Sequence, residues 1–149
     1  MKIFFTILIL STINFYSKAQ EIYPWSKMQE VKFYNLSNEN IEPSNFNISS
    51  LDSIKSISFK KNVWAKILPY HSKLPKDTSI EEGFFVITVK FKNGEIIPFQ
   101  LFPKQKTLLD LRKNHFNFID LATQVHPLLN KIFNKSIICY KDKNCNEVN

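Results

Sequence analysis

The segment GFFVITVKFKNGEIIPFQLF, residues 83–102, carries two strand-rich runs on either side of Asn93-Gly94. Asn-Gly supplies the two positive φ angles of a tight type I′ turn, so the segment predicts an antiparallel hairpin. With that turn Lys92 faces Glu95, and one face pairs Phe91 with Ile96, Val89 with Pro98, Ile87 with Gln100 and Phe85 with Phe102. The other face pairs Lys90 with Ile97, Thr88 with Phe99 and Val86 with Leu101. Proline cannot donate to a ladder, so Pro98 predicts that the second strand is an edge or is locally bulged.

Around the hairpin the chain reads as α+β. Val31 and Phe33 alternate with Lys32 and Tyr34, which predicts a strand at 30–36. Ile54–Phe59 and Val63–Leu68 read as two further strands, and Pro69 ends the second. HSKLPKDTSIEEG, 71–83, is a polar stretch long enough for a functional loop. After Pro103 the spacing turns helical. Thr107 with Asp110, and Asn117 with Asp120, resemble helix starts. Phe118, Leu121, Ala122, Val125, Leu128, Leu129 and Ile132 form an apolar stripe, and Pro127 predicts a break near His126 with a final helix to about Asn134. The expectation is an antiparallel sheet of about 4–6 strands, built from 30–102 and packed by C-terminal helices. That order of elements resembles a pleckstrin-homology-like barrel with a closing helix, and cystatin-like and nuclear-transport-factor-like folds are the alternatives. The likeness is of fold alone and implies no function.

The first residues, MKIFFTILILSTINFYSKAQ, place Lys2 before an apolar run and small residues at Ser17 and Ala19. This is the layout of a secretory signal peptide cleaved after Ala19, and the apolar run is too short to span a bilayer. The division is therefore a cleaved leader at 1–19 and one α+β domain at 20–149. No transmembrane segment is expected after cleavage. The short leader ending in Ala-Gln suggests an exported bacterial protein, periplasmic or extracellular. Export decides how Cys139 and Cys145 are read: paired cysteines in an oxidising compartment form disulfides, here closing a short C-terminal loop. A redox centre usually spaces its cysteines by two residues, and zinc would need two distant ligands.

The formal charge is +7, yet Arg112 is the only arginine and the lysines are scattered. Nucleic-acid readers lean on arginine forks, so no nucleic-acid partner is expected. With only Gly83 and Gly94 in the chain, glycine-rich phosphate cradles and nucleophile elbows are absent. His71, His115 and His126 lack metal-ligand spacing, and Glu81-Glu82 beside Gly83 reads as solvated loop. We expect no catalytic residues, no metal and no cofactor. Aromatics say more: Tyr23, Pro24 and Trp25 form a knot near the mature N-terminus, reading mainly as a lid over the core. Trp25, Tyr34, Trp64 and Tyr70, with His71, are the candidate binding residues. The leading expectation is a non-enzymatic exported module that binds a protein or cell-envelope component through the hairpin edge or the 71–83 loop. The alternative is a carrier of small apolar ligands, with a pocket between sheet and helices lined by Phe85, Phe99, Phe118 and Leu121. A hydrolase with a spatially assembled site comes third.

Overall fold

The computed structural model describes residues 23–37, 39, 41, 46–59, 61–73, 84–112 and 117–148. The expected leader at 1–19, His115, Glu81-Glu82 and the rest of the 74–83 stretch lie outside the described residues. The elements are β1 (Met28–Asn35), β2 (Ile57–Phe59), α1 (Lys61–Trp64), β3 (His71–Lys73), β4 (Phe85–Phe91), β5 (Ile96–Phe102), β6 (Thr107–Asp110), β7 (Asn117–Leu121), α2 (His126–Lys141) and β8 (Glu147–Val148). They form one sheet in the order β3-β7-β6-β5-β4-β1-β2-β8. Every neighbouring pair is antiparallel except β2 and β8. Helix α2 lies against β1, β2 and β8. The fold is thus α+β, an antiparallel sheet packed by a C-terminal helix.

The hairpin is present, but its register differs from expectation by one residue. Val89 pairs with Ile97, Ile87 with Phe99 and Phe85 with Leu101. The Phe91 N–H donates to the Glu95 carbonyl at 2.9 Å and the Gly94 N–H to the Phe91 carbonyl at 3.0 Å. Gly94 alone takes the positive angle, with φ 86°. The connection is therefore a three-residue loop with a glycine bulge, not a two-residue type I′ turn. The gain is in packing. This register stacks Phe85, Ile87, Val89 and Phe91 with Leu101, Phe99 and Ile97 on one face, all apolar, and one slip would break that match.

Strand β5 is interior and its pairing runs past Pro98 without a register shift, so neither the edge nor the local bulge expected from that proline is found. The proline is accommodated because β6 begins to pair only at Phe99, one residue on. Opposite Thr88 its nitrogen points away from β4, on the side where the Leu111 N–H donates to the Pro98 carbonyl at 3.0 Å, so only the missing proline donor goes unused.

Two segments adopt the other period. Residues 107–110 and 117–121 are strands, not helix starts, and their residues are satisfied across the sheet: Leu108 pairs with Ile119 and Leu109 with Phe118. Asp110 caps no helix and instead receives Arg112 and Tyr23. Conversely, Lys61–Trp64 is a helical turn rather than the start of a strand, and Trp64, Ile67 and Leu68 are buried at helical spacing. The break at Pro127 is as expected, since the proline sits in the first turn of α2 where its missing donor costs nothing. Helix α2 then runs past Asn134 to Lys141, burying Leu129, Ile132, Ser136 and Cys139.

One apolar core joins Val31, Phe33, Ile57, Ile87, Val89, Phe99, Leu101, Leu108 and Leu121 from the sheet to Val125, Leu129 and Ile132. A second cluster on the opposite face of β1 and β4 holds Tyr34, Leu36, Leu51, Phe84 and Val86. Burial on both faces explains why β4 is apolar at every position except Thr88 and the exposed Lys90. Cys139 and Cys145 are joined in a disulfide with Cα atoms 5.1 Å apart. Cys139 belongs to the last turns of α2, so the charged loop is confined to 142–146. The bond fits an oxidising, exported compartment. Among the described residues no helix is long and apolar enough to cross a membrane.

Candidate functional site

A cleft opens where the core layer meets solvent beside α2. Its floor is aromatic: Phe85 at the start of β4 lies 5.0 Å from Phe133 of α2, edge to face, and 6.0 Å from Phe33 of β1. The cavity measures about 360 Å³ and is lined by Phe85, Pro103, Lys104, Gln105, Lys106, Asn130 and Phe133. Its wall is the four-residue connection between Phe102 and Thr107, which face each other in the β5–β6 ladder. Pockets of this size and character suit part of a small ligand, with apolar walls and a few polar groups at the mouth.

Lys106 closes that connection with φ 59°, the only positive φ at a non-glycine residue among the described residues. A left-handed conformation at an L-residue costs about 1–2 kcal/mol. Surrounding bonds hold it there: the Leu121 N–H donates to the Lys106 carbonyl at 2.9 Å, and the Thr107 hydroxyl donates to the Gln105 carbonyl at 3.1 Å. The Lys106 ammonium donates to the Pro103 carbonyl. Among the described residues no carboxylate forms an ion pair with it.

A polar network lies elsewhere, at the far end of β6. The Tyr23 hydroxyl donates to Asp110 Oδ2 at 2.9 Å, Arg112 Nη2 donates to the same oxygen at 2.7 Å, and Arg112 Nη1 donates to Glu95 Oε1 at 2.6 Å. Burial pushes the Asp110 carboxyl up. Side-chain and backbone bonds from Arg112, the Tyr23 hydroxyl and the arginine charge together outweigh this and hold it below the usual carboxylate range. Burial, and then the Asp110 charge, push the Tyr23 phenol up. A wider hollow of about 470 Å³ borders Arg112, with Phe46, Asn47, Ile48, Ile96, Pro98 and Leu111. Its only arginine is already paired with two carboxylates, so this network fastens the N-terminal segment to the sheet.

The candidate binding residues from the sequence do not form one site. Trp25 and His71 come together, with ring centroids 5.7 Å apart, and both meet Tyr23. That cluster covers the core, with Trp25 also against Phe91 and Phe99. Trp64 is buried against Phe59, and Tyr34 belongs to the second cluster. Tyr70 is exposed, at 49%. The indole N–H groups of Trp25 and Trp64 find no acceptor among the described residues. His71 Nδ1 and His126 Nε2 each approach a carbonyl, of Leu68 and Leu121, at 2.7 Å. His71 and its two neighbours, read from sequence as loop, form the edge strand β3 against β7.

Of the four residues expected to line a pocket, Phe85 does so, whereas Phe99 and Leu121 are fully enclosed in the core and Phe118 contacts Phe102 outside the cleft. Pro103, Lys104, Gln105, Lys106, Asn130 and Phe133 were not foreseen from sequence. The available signal was a short Pro-Lys-Gln-Lys connection between two runs ending in apolar pairs, and it was obscured by the helical spacing of residues 107–132. No family model, no curated protein and no solved structure matches this chain.

Proposed function

We propose that this chain is a small exported binding protein, not an enzyme, that holds the apolar part of a small cell-envelope molecule in the cleft between Phe85, Phe133 and the 103–106 connection. The observation that carries this reading is the aromatic-floored cavity of about 360 Å³ between sheet and helix. The leader and the disulfide support a site of action in the periplasm or outside a bacterial cell. Binding is preferred to catalysis because the described titratable groups with strong partners are spent on structure. Asp110 is engaged by Arg112 and Tyr23, and His71 and His126 each hold a carbonyl. A protein partner docked on the hairpin edge loses support, because β5 is interior.

Asn130 offers a clean test, since it lines the cleft yet is exposed on α2. Asn130→Trp should fill the mouth without disturbing the core. Calorimetric titration with single-chain C10 amphiphiles is expected to show one saturable site in the wild type and at least about tenfold weaker binding in the variant, equivalent to about 1.4 kcal/mol. Equal affinity in the two proteins, with the variant's circular dichroism unchanged, would overturn the assignment.

A further inference from the structure

Resting on that reading, the geometry points to a more specific occupant: a single-chain amphiphile with a carboxylate head, of the fatty-acid class, whose head is held by the Lys106 ammonium. Three observations converge. First, the cleft's lining combines the rings of Phe85 and Phe133, which meet each other, with the exposed Lys104 and Asn130 and the partly buried Gln105 and Lys106. That combination matches a molecule with an apolar chain and a polar end. Second, Lys106 is a partly buried cation whose partner among the described residues is the Pro103 carbonyl, a neutral acceptor. Its charge is opposed by no carboxylate there, in contrast to Arg112, which has two. An ammonium beside an apolar cavity gains most from an anion brought into the same low-dielectric place.

Third, the lysine occupies a backbone position that glycine or asparagine would occupy with less strain. Strain held by surrounding bonds clusters at ligand-binding positions, where the side chain matters more than the conformational cost. Here the Leu121 N–H holds the Lys106 carbonyl, and the residue so fixed lines the cleft. The count of charge and volume then selects the class. The Lys106 ammonium, which no carboxylate among the described residues opposes, suits one carboxylate, and a cavity of about 360 Å³ is at the small end for ligand sites, too small for a two-chain lipid. A lysine is a point charge without a fork, so the head is recognised by charge more than by shape.

The test compares decanoate with decan-1-ol and decyltrimethylammonium, all below micelle-forming concentration, on the purified wild type, Lys106→Gln and Lys106→Gly. The expected result is about tenfold or greater preference of the wild type for decanoate over decanol, the size of one hydrogen bond to a charged group. Both variants should lose that preference, their affinity for decanoate falling to their own affinity for decanol. Lys106→Gly should in addition melt no lower than the wild type, because it relieves the left-handed residue. A wild type that binds decanol and decanoate equally overturns the carboxylate but leaves the cleft. A preference that survives in Lys106→Gln and disappears in Lys104→Gln overturns the assignment to Lys106. Failure of every C10 chain to bind overturns both readings.

Discussion

At the scale of single residues, the Tyr23–Asp110–Arg112–Glu95 network has the clearest consequence. Asp110 is buried and carries its charge only because Arg112 and the Tyr23 hydroxyl surround it. A carboxyl whose folded pKa lies below its unfolded value contributes stability that is complete above the unfolded value and is lost as pH falls through the folded one. The window therefore opens below about pH 4, the ordinary carboxylate value. Tyr23 works in the opposite direction. Its folded pKa is raised, so its contribution is complete below the phenol's ordinary value of about 10 and fades as pH climbs through the folded one. Asp110→Asn should destabilise the fold by about 1–3 kcal/mol at pH 7, the worth of hydrogen bonds to a charged group. It should also flatten the acid limb. Urea unfolding midpoints at pH 7, 5 and 3 test this. Parallel losses in wild type and variant between pH 5 and 3 would show that Asp110 is not the acid-sensitive group.

At the scale of elements, the C-terminal end of α2 is fastened three ways. Lys55 Nζ donates to the carbonyls of Tyr140 and Asp142 at 3.1 and 2.7 Å, satisfying helix-end acceptors. The Cys139–Cys145 disulfide turns the chain back, and β8 then pairs with β2, with Ser58 N–H donating to Asn146 O at 2.9 Å. The closed loop is short, so its entropic contribution is at most about 2.4 kcal/mol. Replacing both cysteines by serine should leave a folded protein whose amide exchange accelerates at 142–148 and hardly elsewhere. Unchanged protection in that segment, or loss of the whole fold, would refute a local staple.

These elements also show what the sequence could reveal. The hairpin, β1, the break at Pro127 and the disulfide were legible because each depends on neighbours within a few residues. β6 and β7 were not, because Phe118, Leu121, Ala122 and Val125 mimic a helical stripe, while their strand state is decided by β5 and β3, far along the chain. The hairpin register was within reach: matching the apolar sets of both strands would have favoured the three-residue loop over the turn that Asn-Gly suggests alone. For the cleft, Phe85 was legible as an aromatic on the core face. The Pro103–Lys106 wall could only be read once Thr107–Asp110 was known to be a strand.

At the scale of the molecule, the cleft joins two bodies that otherwise meet through the core. Phe85 and the 103–106 connection belong to the sheet, and Asn130 and Phe133 to the first half of α2, while the disulfide fastens the helix at its other end. A ligand seated there contacts sheet and helix at once, and binds the folded chain but not the unfolded one. Mass action then sets the size of the effect: at about 100 times its dissociation constant the ligand stabilises by about 2.7 kcal/mol. For a domain of this length about 1 kcal/mol corresponds to about 4 °C, so the melting temperature should rise by roughly 10 °C in saturating decanoate. The same concentration should shift Asn130→Trp by at most about half as much, because binding at least about tenfold weaker stabilises by no more than about 1.4 kcal/mol. It should shift the double serine variant as much as the wild type, because the staple lies at the far end of α2. Thermal melts of the three proteins with and without decanoate decide the matter. An equal shift in Asn130→Trp would place the ligand outside the cleft, and a shift lost in the serine variant would mean that the tail, not the 103–106 connection, completes the site.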